Sequence, residues 1–383
     1  MKPLHELSNI FRLYGESFVS SIKPSYHIRR TLNAIAQCRT ASLGGHMCGC
    51  KSCGCVTYHY NSCRNRHCPK CQSVSRERWI MQRESELLPV PYFHVVFTLP
   101  HEFNELAIKY PRQLYTALFL ASWDTIQTLS LDPKHMGAKT GMTAVLHTWG
   151  QQLWLHPHLH CIVPSGGITP SGKWKRTRMK GKYLFPQWAL SKLFRGKYMA
   201  ALRKEGVVIP QRIAKIVMSK DWVVHAEQPF QYPKAVVEYL GRYTHKIAIS
   251  NHRLKSINDG QVTFSYKDYN QSAKQRVMRL DAVEFLRRFS MHILPSGFMR
   301  MRHYGILASR NKGKELNIAK SYFGLPSWEV LKIDWIEIAE TKLNIQHNVC
   351  KQCGGELEVI KGLPPKRGPP MVSFRSIPIK QSI

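Results

Sequence analysis

Alternating apolar and polar positions mark a strand near the middle of the chain. Residues 156–163, His-Pro-His-Leu-His-Cys-Ile-Val, follow the two-residue period of a strand. On one face, every second residue from Leu159 to Val163 is apolar, which suits a buried core. The other face carries His158 and His160, at a spacing that allows two imidazoles to bind one divalent cation. The strand therefore predicts both a core and a candidate metal site.

The hydrophobic pattern predicts an α+β fold around this strand. Apolar runs at residues 93–99 and 142–149 are typical of buried strands, and Pro111 opens a helix with an apolar stripe. This strand–helix–strand–strand order indicates an antiparallel or mixed sheet with helices on one face. The other predicted elements are two N-terminal helices interrupted at Pro24, a helix at 76–88, a helix from about Pro233, a strand at 247–249, a hairpin that turns at Asp259-Gly260 and an amphipathic helix at 281–289.

The net charge of the chain limits the classes of function that it can have. The 383-residue chain is long enough for two or three domains, and Lys and Arg outnumber Asp and Glu by 56 to 24, which gives a net charge of +32. Such an excess is expected of a protein that binds a polyanion. No apolar run is long enough to span a bilayer, and the first residues lack a secretory hydrophobic segment. We therefore expect a cytoplasmic nucleic-acid-binding protein without membrane contact.

Cysteines cluster in the first quarter of the chain. Seven of the eleven lie between Cys48 and Cys71, and because the cytosol disfavours disulfides, metal binding is the favoured interpretation. Cys50 and Cys53 form one Cys-x-x-Cys pair, and Cys68 and Cys71 form another. This spacing predicts one structural, tetrahedral Zn²⁺ site closed by four thiolates. A third pair, at positions 350 and 353, has no partner pair nearby in the sequence, so it is a weak signal and we assign no metal to it.

Two tyrosines later in the chain support a functional interpretation of the histidine strand. Tyr239 and Tyr243 are spaced i and i+4, so they share one face of the predicted helix. A His-hydrophobic-His strand followed by a Tyr-x-x-x-Tyr helix resembles the HUH endonucleases. Within that class the chain resembles the rolling-circle tyrosine transposases of the insertion sequence 91 family. The resemblance extends over nearly the whole chain and includes the motifs at residues 61–71, 97–102 and 302–305.

The resemblance implies a mechanism for cutting single-stranded DNA at the ends of a mobile element. Tyr243 or Tyr239 attacks the phosphorus in line, which leaves a 5′-phosphotyrosine and a free 3′-OH. His158 and His160 bind Mg²⁺ or Mn²⁺, which orients the scissile phosphate. His156 is the local candidate for a third ligand, although an acidic or amide side chain elsewhere would also serve. We expect Tyr243 to support a single cleavage and Tyr239 to contribute to strand exchange or orientation.

The resemblance also implies a domain order. A helical and zinc-binding domain at 1–90 precedes a nuclease domain at 91–305, and a C-terminal region at 306–383 ends in a basic tail that we expect to be disordered from residue 361. The family's zinc module has further Cys and His positions, which suggests a possible second zinc site. Its candidate ligands are His46, Cys55, Cys63 and His67. The module is basic, which favours DNA binding at the element ends, and the alternative is a fold-stabilising clip with no DNA role.

A basic run follows the histidine strand at residues 173–183. Lys and Arg neutralise phosphates, and the aromatic rings of Trp174 and Tyr183 suit stacking on unpaired bases. A run of charges can also be a solvated loop, but its position after a nuclease strand favours DNA contact. The predicted DNA-binding residues are Lys173, Trp174, Lys175, Arg176, Arg178 and Lys180, with Arg242 and Lys246 beside the tyrosines.

Two alternatives stay open at this point. The first is another HUH nickase, such as a plasmid replication initiator or a relaxase, although the zinc module and the 302–305 motif favour the transposase. The second is a zinc-dependent DNA-binding protein without catalysis, which would form no covalent product with DNA under any metal condition.

Overall fold

The computed structural model of the chain describes residues 3–227, 230, 233–346 and 348–366; for residues 180, 233, 234, 240, 242, 243 and 270 it describes the backbone alone. The helices are α1 Leu7–Ile22, α2 Tyr26–Ala36, α3 Ser73–Glu84, α4 Asn104–Lys109, α5 Pro111–Leu131, α6 Arg178–Gly181, α7 Gln187–Lys204, α8 Gln211–Met218, α9 Pro233–Thr244, α10 Ala282–Ser290, α11 Asn317–Tyr322 and α12 Trp335–Thr341. The strands are β1 Gly45–Cys50, β2 Val56–Tyr60, β3 Tyr92–Thr98, β4 Gly141–Trp149, β5 Leu155–Pro164, β6 Gly166–Ile168, β7 Trp174–Arg176, β8 Val224–Ala226, β9 Leu254–Asn258, β10 Gln261–Asp268, β11 Lys274–Asp281, β12 Met301–Gly305 and β13 Leu357–Leu363. In this part of the chain, no helix combines the length and the apolarity needed to cross a bilayer.

A five-stranded antiparallel sheet forms the centre of the fold. Its strand order is β12-β4-β5-β3-β8, so the histidine strand β5 lies in the middle with a partner on each side. The strands and helices predicted around it are present, and the α+β class is confirmed. This position holds the backbone of β5 by two ladders of hydrogen bonds, which makes it a rigid support for side chains.

Helices cover both faces of this sheet, rather than one face as expected. Leu159 and Val163 of β5 are fully buried in a core shared with α5 and α7. On the opposite face, Val236 and Val237 of α9 pack with Trp79 of α3 in a second buried cluster. The tyrosine helix therefore buries an apolar stripe of its own, and this burial holds it against the face that carries the histidines.

A second, three-stranded sheet joins the N-terminal helices to the middle of the chain. The order is β11-β10-β9, and the predicted hairpin turn at Asp259 and Gly260 is confirmed, with both residues at positive φ (51° and 72°). Phe11 of α1 packs on Phe289 of α10 with ring centroids 5.4 Å apart, inside a core that also includes Phe264 of β10. Residues of the predicted 1–90 domain thus share a core with residues of the predicted nuclease domain.

The last strand pairs with a strand from the N-terminal part of the chain. β13 pairs antiparallel with β1, which also pairs with β2, and the three form a separate small sheet. The expected disorder from residue 361 is therefore wrong for residues 361–363, because their backbone forms hydrogen bonds with β1. Residues 367–383 lie outside the described part of the chain.

Residues 247–249 do not form the predicted strand. They are buried, but side chains rather than a neighbouring strand bind the backbone carbonyls around them. The buried guanidinium of Arg300 donates to the carbonyl oxygens of Thr244 and Lys246, and Arg253 donates to that of Ala248. Three consecutive apolar residues indicate that this segment is buried. Whether its backbone pairs with a strand or binds arginine side chains depends on residues far away in the sequence.

Candidate metal and tyrosine site

Three histidines meet on one face of the central sheet. In the ladder between β4 and β5, His147 lies directly opposite His158, and His160 lies two residues further along the same face. One ligand atom from each of these side chains lies within 4.8 Å of the other two. A β-bulge follows His147, and the Trp149 ring stacks on the His147 ring at 4.6 Å. The register of the two strands therefore creates a three-imidazole site.

His156 has a different position from the one predicted. Its ring centroid is 5.0 Å from that of His158, and it lines the same cleft, but it is outside the group of converging ligand atoms. The third histidine is His147. The sequence contained His147 in a predicted strand, but only the pairing register shows that it faces His158.

Hydrogen bonding leaves one ring nitrogen of His158 available for a cation. Nδ1 of His158 lies 2.6 Å from the His156 carbonyl oxygen, which can only accept, so Nδ1–H is the donor and Nε2 keeps its lone pair. Burial and the neighbouring His156 lower the pKa of His158 to about 4. Burial and His158 likewise lower the pKa of His160. Both imidazoles are therefore neutral at physiological pH, which is the form that binds metal.

A second layer of side chains orients His160. The Glu227 carboxylate accepts a hydrogen bond from His94 Nδ1 at 2.9 Å, and His94 Nε2 lies 2.9 Å from His160 Nδ1. Because Nδ1 of a neutral His94 carries the proton, its Nε2 accepts from His160 Nδ1–H. His160 Nε2 is then unprotonated. A chain of this kind fixes the tautomer and the ring plane of a metal ligand.

The tyrosine helix passes next to this second layer. The Tyr239 ring packs edge-on against the His94 ring, with centroids 5.1 Å apart, and against Phe230 at the same distance. Between the two tyrosines, Gly241 allows α9 to approach α3 closely, because a Cβ there would lie 2.4 Å from Ile80 Cδ1. The side chain of Tyr243, one turn along α9, lies outside the described part of the structure.

A cleft of about 540 Å³ opens over the three histidines. It lies between the β4–β5 hairpin and strand β10, and its lining includes cations and aromatic rings as well as Asp268. Lys246 and Lys267 line it, together with Tyr269, which is 69% exposed, and Trp154, whose ring contacts the Arg288 guanidinium at 3.6 Å. Lys246 was predicted from its position beside the tyrosines, whereas Lys267, Tyr269 and Trp154 come from segments that only the fold brings together.

The cysteines form two four-thiol clusters, and neither is the predicted set. Cys68 and Cys71 converge with Cys38 and Cys63, while Cys50 and Cys53 converge with Cys350 and Cys353. In each cluster the four sulfur atoms lie within 4.8 Å of one another. The two predicted pairs are kept apart because the five residues of β2 span roughly 17 Å between them. The single site of Cys50, Cys53, Cys68 and Cys71 is therefore corrected to two separate clusters.

Comparisons with known proteins agree with this architecture. Residues 10–99 match the family described as transposase zinc-binding domain, and residues 141–315 match a family described as putative transposase. A putative transposase y4qJ from Sinorhizobium fredii is 43% identical over 338 residues, which are 84% of each chain. This chain belongs to the insertion sequence 91 family of transposases. The transposase for insertion sequence element IS801 of Pseudomonas savastanoi pv. phaseolicola is 30% identical over 345 residues, 85% of this chain and 82% of the relative. No solved structure matches the transposase.

Of the residues predicted for a second zinc site in the transposase, only Cys63 belongs to a cluster. His67 is buried, and its Nε2 accepts from the Leu294 N–H at 3.4 Å. His46 stacks on His59 with centroids 5.4 Å apart, and Cys55 is outside both thiol groups. Cys38, two residues after the end of α2, was missed because it stands alone in the sequence, 25 positions before Cys63.

The basic run of the transposase is largely exposed but lies away from the histidines. Lys173, Lys175, Arg176 and Arg178 are exposed, whereas Trp174 is buried with its ring 5.6 Å from that of Phe323. Trp174 is therefore not placed to stack on a base, which corrects that prediction. The run follows the far end of β5, roughly 20 Å of strand beyond His158. The side chains of Lys180 and Arg242 lie outside the described part of the structure.

Proposed function

We propose that this transposase cuts and rejoins single-stranded DNA at the ends of its insertion sequence through a covalent phosphotyrosine intermediate. The observation that carries the proposal is the convergence of His147, His158 and His160 beside the tyrosine helix α9. Three imidazoles on a rigid sheet are a metal-binding arrangement, and a tyrosine helix next to them supplies a nucleophile.

The donor set fits a divalent cation. A bound cation would orient the scissile phosphate and withdraw charge from it in the transition state. Imidazole nitrogens suit borderline metals better than Mg²⁺, which prefers oxygen ligands. Of the two expected metals, Mn²⁺ is therefore the better fit to His147, His158 and His160.

The chemistry at the tyrosine conserves bond energy. The phenolic oxygen forms a bond to phosphorus, and the bond between phosphorus and the 3′ oxygen breaks. The phenolic proton leaves to solvent, and the departing 3′ oxygen takes up a proton. Attack by a 3′-OH on the phosphotyrosine reverses these steps and joins two strands. Since the energy of the phosphodiester is kept in the intermediate, rejoining requires no ATP.

The cleft supplies groups that suit a single strand of DNA. Lys246 and Lys267 provide positive charge for the phosphates, and the exposed ring of Tyr269 offers a flat apolar surface for an unpaired base, with the half-exposed Trp154 ring, which Arg288 contacts, beside it. A single strand that follows the cleft passes over the three histidines. The exposed basic residues at 173–178 are proposed to contact DNA outside this cleft.

A covalent adduct tests the proposal directly. The purified transposase is incubated with an end-labelled single strand from the element terminus and Mn²⁺, and the products are separated on a denaturing gel. We expect a labelled band of the protein's size that is absent with chelator and with the double variant Tyr239→Phe/Tyr243→Phe. Absence of the band from the wild-type protein with every divalent metal and terminal strand tested would favour the non-catalytic DNA-binding alternative.

A further inference from the structure

Four cysteines from the two ends of the transposase meet at one point. Cys50 Sγ lies 3.4 Å from Cys353 Sγ, and Cys53 Sγ lies 3.8 Å from Cys350 Sγ. We propose that Cys50, Cys53, Cys350 and Cys353 bind a structural zinc ion, distinct from one held by the cluster of Cys38, Cys63, Cys68 and Cys71, and that this ion fastens the C-terminal segment to the zinc-binding domain. The matches to the two transposase families end at residues 99 and 315, so Cys350 and Cys353 lie outside both.

The two Cys-x-x-Cys segments have the same backbone conformation. The N–H of Gly54 donates to the Cys50 carbonyl at 3.0 Å, and the N–H of Gly354 donates to the Cys350 carbonyl at 2.9 Å. Both glycines have a left-handed φ, 67° and 76°. Each loop is closed by a further bond from the first cysteine's N–H to the carbonyl five residues on, at 2.9 and 2.8 Å. Two matching loops present four thiols from opposite sides, as tetrahedral coordination requires.

The loops also fit closely against each other. A Cβ on Gly355 would lie 2.4 Å from Ser52 Oγ and 3.1 Å from Cys50 Sγ, so only glycine allows this approach. Lys51 bonds twice across the junction, from its N–H to the Glu356 carbonyl at 3.0 Å and from Nζ to the Glu356 carboxylate at 2.8 Å. Residues of both Cys-x-x-Cys loops therefore contribute close contacts and hydrogen bonds to this junction.

The small sheet at this junction has little core to hold it. On β2, Val56, Tyr58 and Tyr60 are exposed, and on β13, Val359 and Ile360 are exposed. A three-stranded sheet with so few buried side chains gains little from hydrophobic burial. A metal bound by four thiolates supplies the missing stabilisation, since metal affinity for a folded site is folding free energy. Hydrogen bonds between these four thiols, of which those of Cys53 and Cys353 are exposed, would supply much less.

Zinc stoichiometry tests the inference, independently of DNA cleavage. The measurement is made in the His158→Ala background so that the three-histidine site does not add to the count. We expect two zinc ions per chain by native mass spectrometry and elemental analysis. The double substitution Cys350→Ser/Cys353→Ser should leave one ion. Cys55→Ser, which removes a nearby thiol outside both clusters, should leave two.

Hydrogen exchange supplies a second readout. In the Cys350→Ser/Cys353→Ser protein, amides of β1 and β13 should exchange faster, while those around Cys63 and Cys68 should not change. One zinc ion in the His158→Ala protein, or two in the double variant, would overturn the inference. If the double variant does not fold, cobalt substitution of the His158→Ala protein decides: two thiolate-bound Co²⁺ ions per chain support the second site, and one excludes it.

Discussion

His94 Nε2 and His160 Nδ1 lie 2.9 Å apart with their rings nearly parallel, at an interplanar angle of 6°. The two residues belong to neighbouring strands, β3 and β5, and the Glu227 carboxylate orients His94 from the other side. The proposed cation therefore depends on a side chain that does not touch it. Because His94 also contacts Tyr239, one buried ring links the proposed metal ligands to the tyrosine helix.

Replacing His94 should weaken metal binding without removing a ligand. His94→Phe keeps a ring in the buried space but cannot accept the hydrogen bond from His160, so the tautomer and orientation of His160 are no longer fixed. We expect the dissociation constant for Mn²⁺ to rise by roughly 10- to 100-fold, measured by isothermal titration calorimetry. His225→Ala, at an exposed position on the edge strand β8, is the matched control and should bind Mn²⁺ as the wild type does. Equal affinities in His94→Phe and the wild type would show that His94 does not orient the ligand.

The third metal ligand can be identified by comparing two alanine variants. His147→Ala removes an imidazole that converges with those of His158 and His160, so the affinity for Mn²⁺ should fall by more than about 100-fold and adduct formation should be lost. His156→Ala should bind Mn²⁺ almost normally, because His158 is held by the backbone carbonyl of residue 156, which the substitution keeps. If instead His156→Ala lost affinity for Mn²⁺ and His147→Ala kept it, His156 would be the third ligand.

Sequence periodicity predicted the histidine strand and its neighbours because those patterns are local. Leu159 and Val163 alternate with His158 and His160, and the structure buries the first pair and places the second at the site. Alternation along one strand contains no information about register with the next strand. For this reason His147 could be assigned to a strand from its surroundings but not paired with His158.

The cysteine sites were harder to predict for a related reason. A Cys-x-x-Cys pair shows that two thiols approach each other locally, but not which second pair completes the tetrahedron. Nearness in sequence favoured joining Cys50 to Cys68, whereas the structure joins Cys50 to Cys353, which is 303 residues away. The pairing of β13 with β1 decides the outcome, and β13 begins four residues after Cys353.

A buried histidine should make stability depend on pH. Burial lowers the pKa of His292 to about 4, and its ring nitrogens contact the Thr148 hydroxyl at 3.2 Å and the Leu153 carbonyl at 3.1 Å. The unfolded chain takes up this proton near pH 6.5, so between pH 6.5 and about 4 the unfolded state binds more protons and the free energy of unfolding falls as the pH falls. Above pH 6.5 this contribution is constant.

The effect of His292 is isolated by comparing variants at two pH values. The difference in thermal midpoint between pH 7 and pH 5 should be smaller in His292→Gln than in the wild type, since each pH unit across this window corresponds to about 1.4 kcal/mol for one proton. His101→Gln, whose imidazole is 82% exposed, is the control and should keep the wild-type difference. An unchanged difference in His292→Gln would mean that His292 does not titrate in this way.

The two tyrosines should differ in their contribution to cleavage. The Tyr239 ring is packed between His94 and Phe230, whereas Tyr243 lies one turn along α9 toward Lys246, which lines the cleft with the proposed metal ligands. We therefore predict that Tyr243→Phe reduces the rate of single cleavage roughly thousandfold or more, as expected for loss of a nucleophile. Tyr239→Phe should still form the covalent adduct but should be impaired in strand exchange, measured by transfer of one labelled strand to a second. An adduct that persists in Tyr243→Phe and disappears in Tyr239→Phe would reverse this assignment. Loss of the adduct only in the double variant would show that the two tyrosines are interchangeable.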